Sequence, residues 1–249
     1  AALAAAPAAL VLVLTRQRFP PLHTLPRLAA IAFIATLAYP AALALAMTIV
    51  PATHAGVVLA IVPIGIALWA VVFAGERPSS RFWVLSAAGG VTVATYTLID
   101  AGGAFGLGDF WLVLAAAVGS LVYALSGAMA RVMPGWAVIS WALVLSFPFN
   151  ATMAVATWEP GYTDASARTW AAFGYLALFS MFLSFVFQNR AMALGGVARI
   201  GQLQLLAPFV TFFFSWALLG EAVTWLTIGF GCLVVAIVFL AQRARVAGG

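Results

Sequence analysis

The chain of 249 residues is 65% hydrophobic and 7% charged, with a mean hydropathy of +1.14. Soluble domains carry about a quarter charged residues, so this composition excludes a water-soluble globular domain and indicates a membrane protein. The net charge of +5 comes from arginines scattered singly between apolar runs, which excludes a phosphate-tracking nucleic-acid surface, and the single Cys232 excludes a disulfide framework or a cysteine metal site.

Crossing the hydrocarbon as a helix takes about 20 mostly apolar residues. A short apolar stretch at 1–14 comes first and runs into Arg16-Gln17-Arg18 and Pro20-Pro21. It has no basic leader, so it is not a signal peptide, and the expectation is that the chain's own beginning precedes Ala1. Membrane helices are then predicted at 28–50, 53–75, 82–99, 109–130, 136–157, 170–192, 199–220 and 223–242. No barrel-like alternation is present, and the short connections require neighbouring helices to run antiparallel in one compact unit. Threading these segments alternately puts Arg16, Arg18, Arg27, Arg77, Arg81, Arg131, Arg190, Arg199, Arg243 and Arg245 on one side and only Arg168 on the other. By the positive-inside rule the first side is cytoplasmic, and the C-terminus with it.

Residues 36–99 align without a gap on 181–244, at an offset of 145. Ala46-Met47 falls on Ala191-Met192, Gly56 on Gly201, Pro63 on Pro208, and Gly75-Glu76 on Gly220-Glu221. Carried backwards, the offset pairs 136–157 with the stretch at 1–14 and gives 109–130 a partner before Ala1. The predicted fold is therefore an all-α polytopic membrane protein, a ten-helix bundle of two inverted five-helix repeats, with the first helix and part of the second preceding this chain. The divisions are 1–99 for the first repeat, 100–108 for an extracytoplasmic linker and 109–249 for the second repeat. An odd number of helices per half turns the second half upside down, a plan that characterises secondary transporters with a midplane substrate site.

Two such halves, each with Ala-Met, a mid-helix Pro and a terminal Gly-Glu, resemble the drug/metabolite transporter superfamily, EamA type, over essentially the whole chain. The strings Ala191-Met192-Ala193-Leu194 and Gly220-Glu221 are similar to that family's repeat signature. The resemblance implies export of amino acids, other metabolites or drugs across the bacterial inner membrane, with the aromatic amino acid exporters as one branch.

Pro63 and Pro208 each remove a backbone hydrogen bond inside an apolar helix, so each is either a hinge beside the substrate path or a packed kink. Gly201, Gln204, Pro208, Thr211 and Ser215 share one helical face, whereas the first-half equivalents are far more apolar. Gln204 and Thr211 either offer hydrogen bonds to a substrate or glue neighbouring helices. Ser180, Ser184 and Gln188 make a second stripe, with Tyr39 aligned on Ser184. Gly119, Tyr123 and Ser126 make a third. Tyr39 and Tyr123 suit the walls of a site for a neutral or aromatic amino acid, or alternatively anchor helices at the interface. His54 opens the segment 53–75 without a visible carboxylate neighbour, and serves either proton sensing, substrate contact or helix capping. Glu76 and Glu221 each follow a helix-ending Gly and are expected to sit at the start of the next helix, a structural role.

The substrate-binding candidates are thus Tyr39, His54, Tyr123, Gln188, Gln204 and Thr211, with Pro63 and Pro208 as hinges. No catalytic residue, metal ligand or cofactor is expected. No Asp or Glu lies mid-segment, which argues for facilitated diffusion or exchange over proton-driven efflux. No Gly-Lys-Ser/Thr phosphate loop is present, so the chain does not itself hydrolyse ATP. A membrane transferase would want converging acids, His or Cys, which the segments lack, and a scaffold would not need the matched prolines. Transporters of phosphorylated metabolites would call on Arg190 and Arg199, both toward the cytoplasmic end; cationic drugs are the other alternative. The expected partners are a small-molecule substrate and the lipid bilayer, not nucleic acid, with the protein a monomer.

Overall fold

A computed structural model of the chain describes residues 1–100, 105–201, 203–204, 210, 213–220, 224–243 and 246–247. The protein is overwhelmingly helical. In chain order come α1 (Ala2–Leu14), α2 (Leu25–Phe33), α3 (Tyr39–Met47), α4 (Ala52–Val58), α5 (Val62–Ala74), α6 (Ser80–Asp100) and α7 (Leu107–Met129). They are followed by α8 (Gly135–Ala156), α9 (Ala167–Tyr175), α10 (Ser184–Gly195), α11 (Val197–Gly201) and α12 (Trp225–Gln242). A two-residue antiparallel ladder, β1 (Arg77–Pro78) with β2 (Val246–Ala247), is the one addition to an otherwise all-α design among the described residues.

Among the described residues, four helical stretches are long and apolar enough to cross a bilayer: Leu22–Met47, Leu107–Met129, Gly135–Ala156 and Ala167–Gly195. Their outward faces carry large apolar side chains. Phe33, Leu107, Val155, Leu176, Phe187 and Leu194 are all more than half exposed. In water such surfaces would associate, whereas hydrocarbon solvates them at no cost. The chain is a multi-pass membrane protein.

The predicted segments other than 199–220, which lies partly outside the described residues, are helical close to their expected bounds, but several are interrupted. The segment at 28–50 is α2 and α3 joined through a π-helical stretch, Ile34–Ala38, and 170–192 is α9 and α10 joined through another, Leu176–Leu183. The segment at 53–75 is α4 and α5 separated by a 3-10 turn, Leu59–Ile61. The cause is local. Pro63 has no N–H to give to the Leu59 carbonyl, and its ring crowds that turn, so the chain tightens before α5 begins. Pro63 therefore lies in the first turn of a helix rather than in the middle of one.

Local features recur 145 residues apart. The π stretches end at Ala38 and Leu183, and the next helices start at Tyr39 and Ser184. Gly75 and Gly220 both adopt left-handed backbone with φ 68°. Ser79 and Thr224 precede α6 and α12, and each hydroxyl accepts from the N–H three residues on, Phe82 and Thr227, at 3.4 and 3.1 Å. These hydroxyls satisfy amides that a helix start leaves orphaned.

The described chain divides into two compact units whose boundaries fall at 37/38, 124/125 and 194/195. Each unit draws on both sequence halves. In the first (1–37 and 125–194), α1 and α2 pack on α8. Ala4, Ala5 and Ala8 of α1 and Ala137 and Ala142 of α8 are buried, small residues that let backbones approach closely. In the second (38–124 and 195–249), α12 packs on α6 and α4, and α11 on α5. A cluster of Ala46, Ala55, Val58 and Leu112 joins α3, α4 and α7 there.

Candidate functional site

Three of the residues singled out in the sequence come together in the second unit. Gly119 and Tyr123 lie four residues apart on one face of α7. A Cβ placed on Gly119 would stand 2.9 Å from the ring of Tyr39, so only glycine lets that ring approach α7 so closely. Tyr123 lies beside Tyr39, and its hydroxyl is hydrogen-bonded to the side chain of Gln204. All three side chains are half-buried. The result is a cluster of two aromatic rings with a hydroxyl–amide hydrogen bond. That arrangement can sandwich a flat or apolar group while hydrogen-bonding a polar one. Pro208 and Thr211, predicted for the same face as Gln204, lie outside the described residues.

His54 is elsewhere in this unit and does have a carboxylate neighbour, contrary to expectation. Its Nε2 lies 2.7 Å from Oδ1 of Asp109, and both side chains are about 5% exposed. The other oxygen, Oδ2, accepts from the Gly106 N–H at 2.9 Å, so Asp109 also caps the start of α7. Tyr96 of α6 is buried beside His54, ring centroids 6.0 Å apart, and its hydroxyl lies 3.5 Å from Thr227 Oγ1. Sequence reasoning missed Asp109 and Tyr96. The available signal was that His54 and Asp109 are costly residues to place within or at the edge of hydrocarbon, and such residues seek each other. Asp109 stands at a segment end, as the absence of mid-segment acids required, but it is buried there rather than solvated.

Glu76 also departs from expectation. It is 1% exposed and does not sit at the start of α6, the next helix. Its two oxygens accept from Val197 and Ala198 N–H at 2.8 and 2.9 Å, at the start of α11, 121 residues on in the chain. A charged acceptor on two buried amides is a strong structural tie. Glu221 lies outside the described residues.

Gln188 belongs to the first unit, on α10. It is half-buried there. Its neighbour Asn189 is fully buried and donates from Nδ2 to the Gly135 carbonyl at 3.2 Å, tying α10 to α8. The same unit holds a cavity of about 730 Å³ with Trp158, Tyr162, Trp170 and Met153 on its walls. Asn150, Thr36, Thr157 and Thr169 are among its polar lining, the Asn150 amide donating to the Thr36 hydroxyl at 3.1 Å. Among the described residues no group of three or more His, Cys, Asp or Glu could hold a metal.

The profile of the EamA-like transporter family matches residues 1–98 and 106–242. The chain is 36% identical over 243 residues to a protein of Bacillus subtilis (strain 168) named "Uncharacterized transporter YdeK", covering 98% of this chain and 85% of that one. A solved crystal structure superposes with a TM-score of 0.72 at 18% identity, over 97% of this chain and 85% of the other, a likeness in fold alone. With nearly its whole length matched by both the family profile and a named transporter, this chain belongs to the EamA-like transporter family of the drug/metabolite transporter superfamily.

Proposed function

We propose that this transporter exports small neutral or zwitterionic organic solutes, aromatic and other neutral amino acids first among them. The Tyr39–Tyr123–Gln204 cluster carries the reading. Its aromatic faces suit an apolar side chain, and the amide and hydroxyls suit the hydrogen bonds of an amino acid backbone. Phosphorylated solutes would want Arg in such a site. Arg190 and Arg199 are instead exposed.

The proposed mechanism is alternating access between two inverted five-helix halves. Support comes from the features repeated at the offset of 145: the π stretches, the left-handed glycines and the hydroxyl caps. Pro63 and Pro208 are the proposed hinges. At Pro63 the 3-10 turn that splits α4 from α5 gives the helix a place to bend. The one-sided distribution of Arg supports an inner-membrane orientation with the C-terminus in the cytoplasm. The protein is proposed to work as a monomer.

The test is uptake into liposomes of labelled phenylalanine, threonine and a cationic drug, by the wild type and by Gln204→Ala. Saturable phenylalanine uptake that falls in the variant supports this reading. Uptake of the drug alone, or amino acid uptake indifferent to Gln204→Ala, overturns it.

A further inference from the structure

Arginines of the first unit gather at one of its ends, the end where α8 begins. Phe19, just after α1, sets its ring edge-on against Trp141 in the second turn of α8, with centroids 5.2 Å apart. Arg16 and Arg18 are therefore carried to the start of that helix. A Cβ on Gly135, the first residue of α8, would stand 2.9 Å from the backbone nitrogen of Arg190, so α10 passes there too. Arg131 lies in the turn that joins α7 to α8, and Arg27 in the first turn of α2. All these side chains are exposed. Among the described residues, no ion pair or side-chain hydrogen bond engages the guanidinium of Arg16, Arg18, Arg27 or Arg190. The acids of this unit, Glu159 and Asp164, follow the far end of α8. One end is thus rich in cations and has no anion of its own.

The backbone at Arg16 gives a second, independent sign. The Arg16 N–H donates to the Val13 carbonyl and the Gln17 N–H to the Leu12 carbonyl, both at 3.0 Å. This paired closure of a helix ordinarily places glycine where Arg16 stands. Arg16 has φ 49°, and the other described left-handed positions, Gly75, Gly196 and Gly220, all carry glycine. A side chain there is strained. Orienting a membrane protein by charge asks for surplus arginine at this end. It does not ask for arginine at a position that glycine fills better. The connector that follows is held in place, with Pro20 and Thr24 buried and the Thr24 hydroxyl donating to the Pro21 carbonyl at 2.7 Å.

Apolar side chains stand among the cations. Phe19, Leu22, Val132 and Leu194 are all more than half exposed. That mixture suits the boundary between hydrocarbon and headgroups. Acyl carbons solvate the apolar groups, while phosphate oxygens accept paired N–H bonds from a guanidinium. A headgroup with its own ammonium gains less, because the arginines repel it. We propose that this end of the first unit binds the headgroup of an anionic phospholipid from the surrounding bilayer, with Arg16 and Arg18 as the principal ligands. The site does not depend on which solute the protein carries.

The test uses the full chain reconstituted into vesicles of equal phosphatidylglycerol and phosphatidylcholine, then released in mild neutral detergent with the lipids it retains. Mass spectrometry is expected to find phosphatidylglycerol enriched about tenfold over phosphatidylcholine, and about fivefold less of that enrichment in Arg16→Gln/Arg18→Gln. Arg81→Gln/Arg199→Gln removes the same charge from exposed positions of the second unit and is expected to leave the enrichment unchanged. Equal retention of the two lipids by the wild type overturns the proposal. So does an enrichment that survives in Arg16→Gln/Arg18→Gln, or one that falls as far in the second-unit variant. Arg16→Gly decides should the double variant fail to fold, because glycine fits the left-handed backbone. Its Tm in neutral detergent is expected to match or exceed that of the wild type while its phosphatidylglycerol enrichment falls. An enrichment unchanged in Arg16→Gly overturns the proposal.

Discussion

The helix starts at Ala52 and Val197 stand 145 positions apart and are held in different ways. At α11 the first amides, those of Val197 and Ala198, go to the buried carboxylate of Glu76, and Arg199 points outward, exposed. At α4 the position matching Arg199 is His54, which is buried and paired with Asp109. One tie is backbone to carboxylate. The other is side chain to side chain. A repeated backbone has thus been given two polar chemistries. The same divergence runs along the following segment, where Leu59 in one half corresponds to Gln204 in the other.

The strongest way to break this comparison is to cut the fixed tie. Glu76→Ala leaves two buried amides without an acceptor and is expected to lower stability by about 3–5 kcal/mol. Glu76→Gln keeps one acceptor oxygen and should lose about half as much. Denaturation midpoints in mild detergent measure both. A loss under about 1 kcal/mol for Glu76→Ala would show that α11 does not rely on this tie.

Next in size is the close approach of Tyr39 to α7. Gly119→Ala puts a methyl into the ring of Tyr39, an overpacking expected to cost about 1–3 kcal/mol and to depress uptake. Adding Tyr39→Ala should recover part of the lost stability but not the uptake. Recovery of both would remove Tyr39 from the site. The left-handed glycines follow. Nothing crowds a Cβ at Gly75 or Gly220, so each Gly→Ala change meets backbone strain alone, about 1–2 kcal/mol. Equal losses at the two positions sharpen the repeat, and unequal ones break it. The smallest expected effect is the coupling between Tyr123→Phe and Gln204→Ala. In a double-mutant cycle on uptake it should amount to about 1 kcal/mol, the worth of one hydrogen bond.

Segment positions were legible because a bilayer demands about 20 apolar residues, a signal that needs no partner. The caps before α6 and α12 and the glycine ends at 75 and 220 are local too, written as a hydroxyl or a glycine at the right place. What escaped reading was non-local. Nothing near Glu76 in sequence names Val197, and nothing near His54 names Asp109. Both contacts close loops that only the packed structure brings shut. The breaks at 34–38 and 176–183 escaped for another reason. Runs such as Leu176-Ala177-Leu178-Phe179 are apolar on all sides, so no periodicity marks where one turn takes an extra residue. The candidate site was half legible. Polar residues stand out in an apolar segment, so Tyr39, Tyr123 and Gln204 could be picked out. That these three meet while Gln188 stands in the other unit was beyond the sequence.

The π-helical stretches have one more effect. An extra residue in a single turn advances the chain by about 100° of rotation about the helix axis. The stretch 25–47 is therefore two helices in different phase, as is 167–195. A side chain that would have pointed into lipid on an unbroken helix is delivered a quarter-turn or so away. For Tyr39, the first residue after the slip, that rotation sets the direction in which its ring leaves the helix.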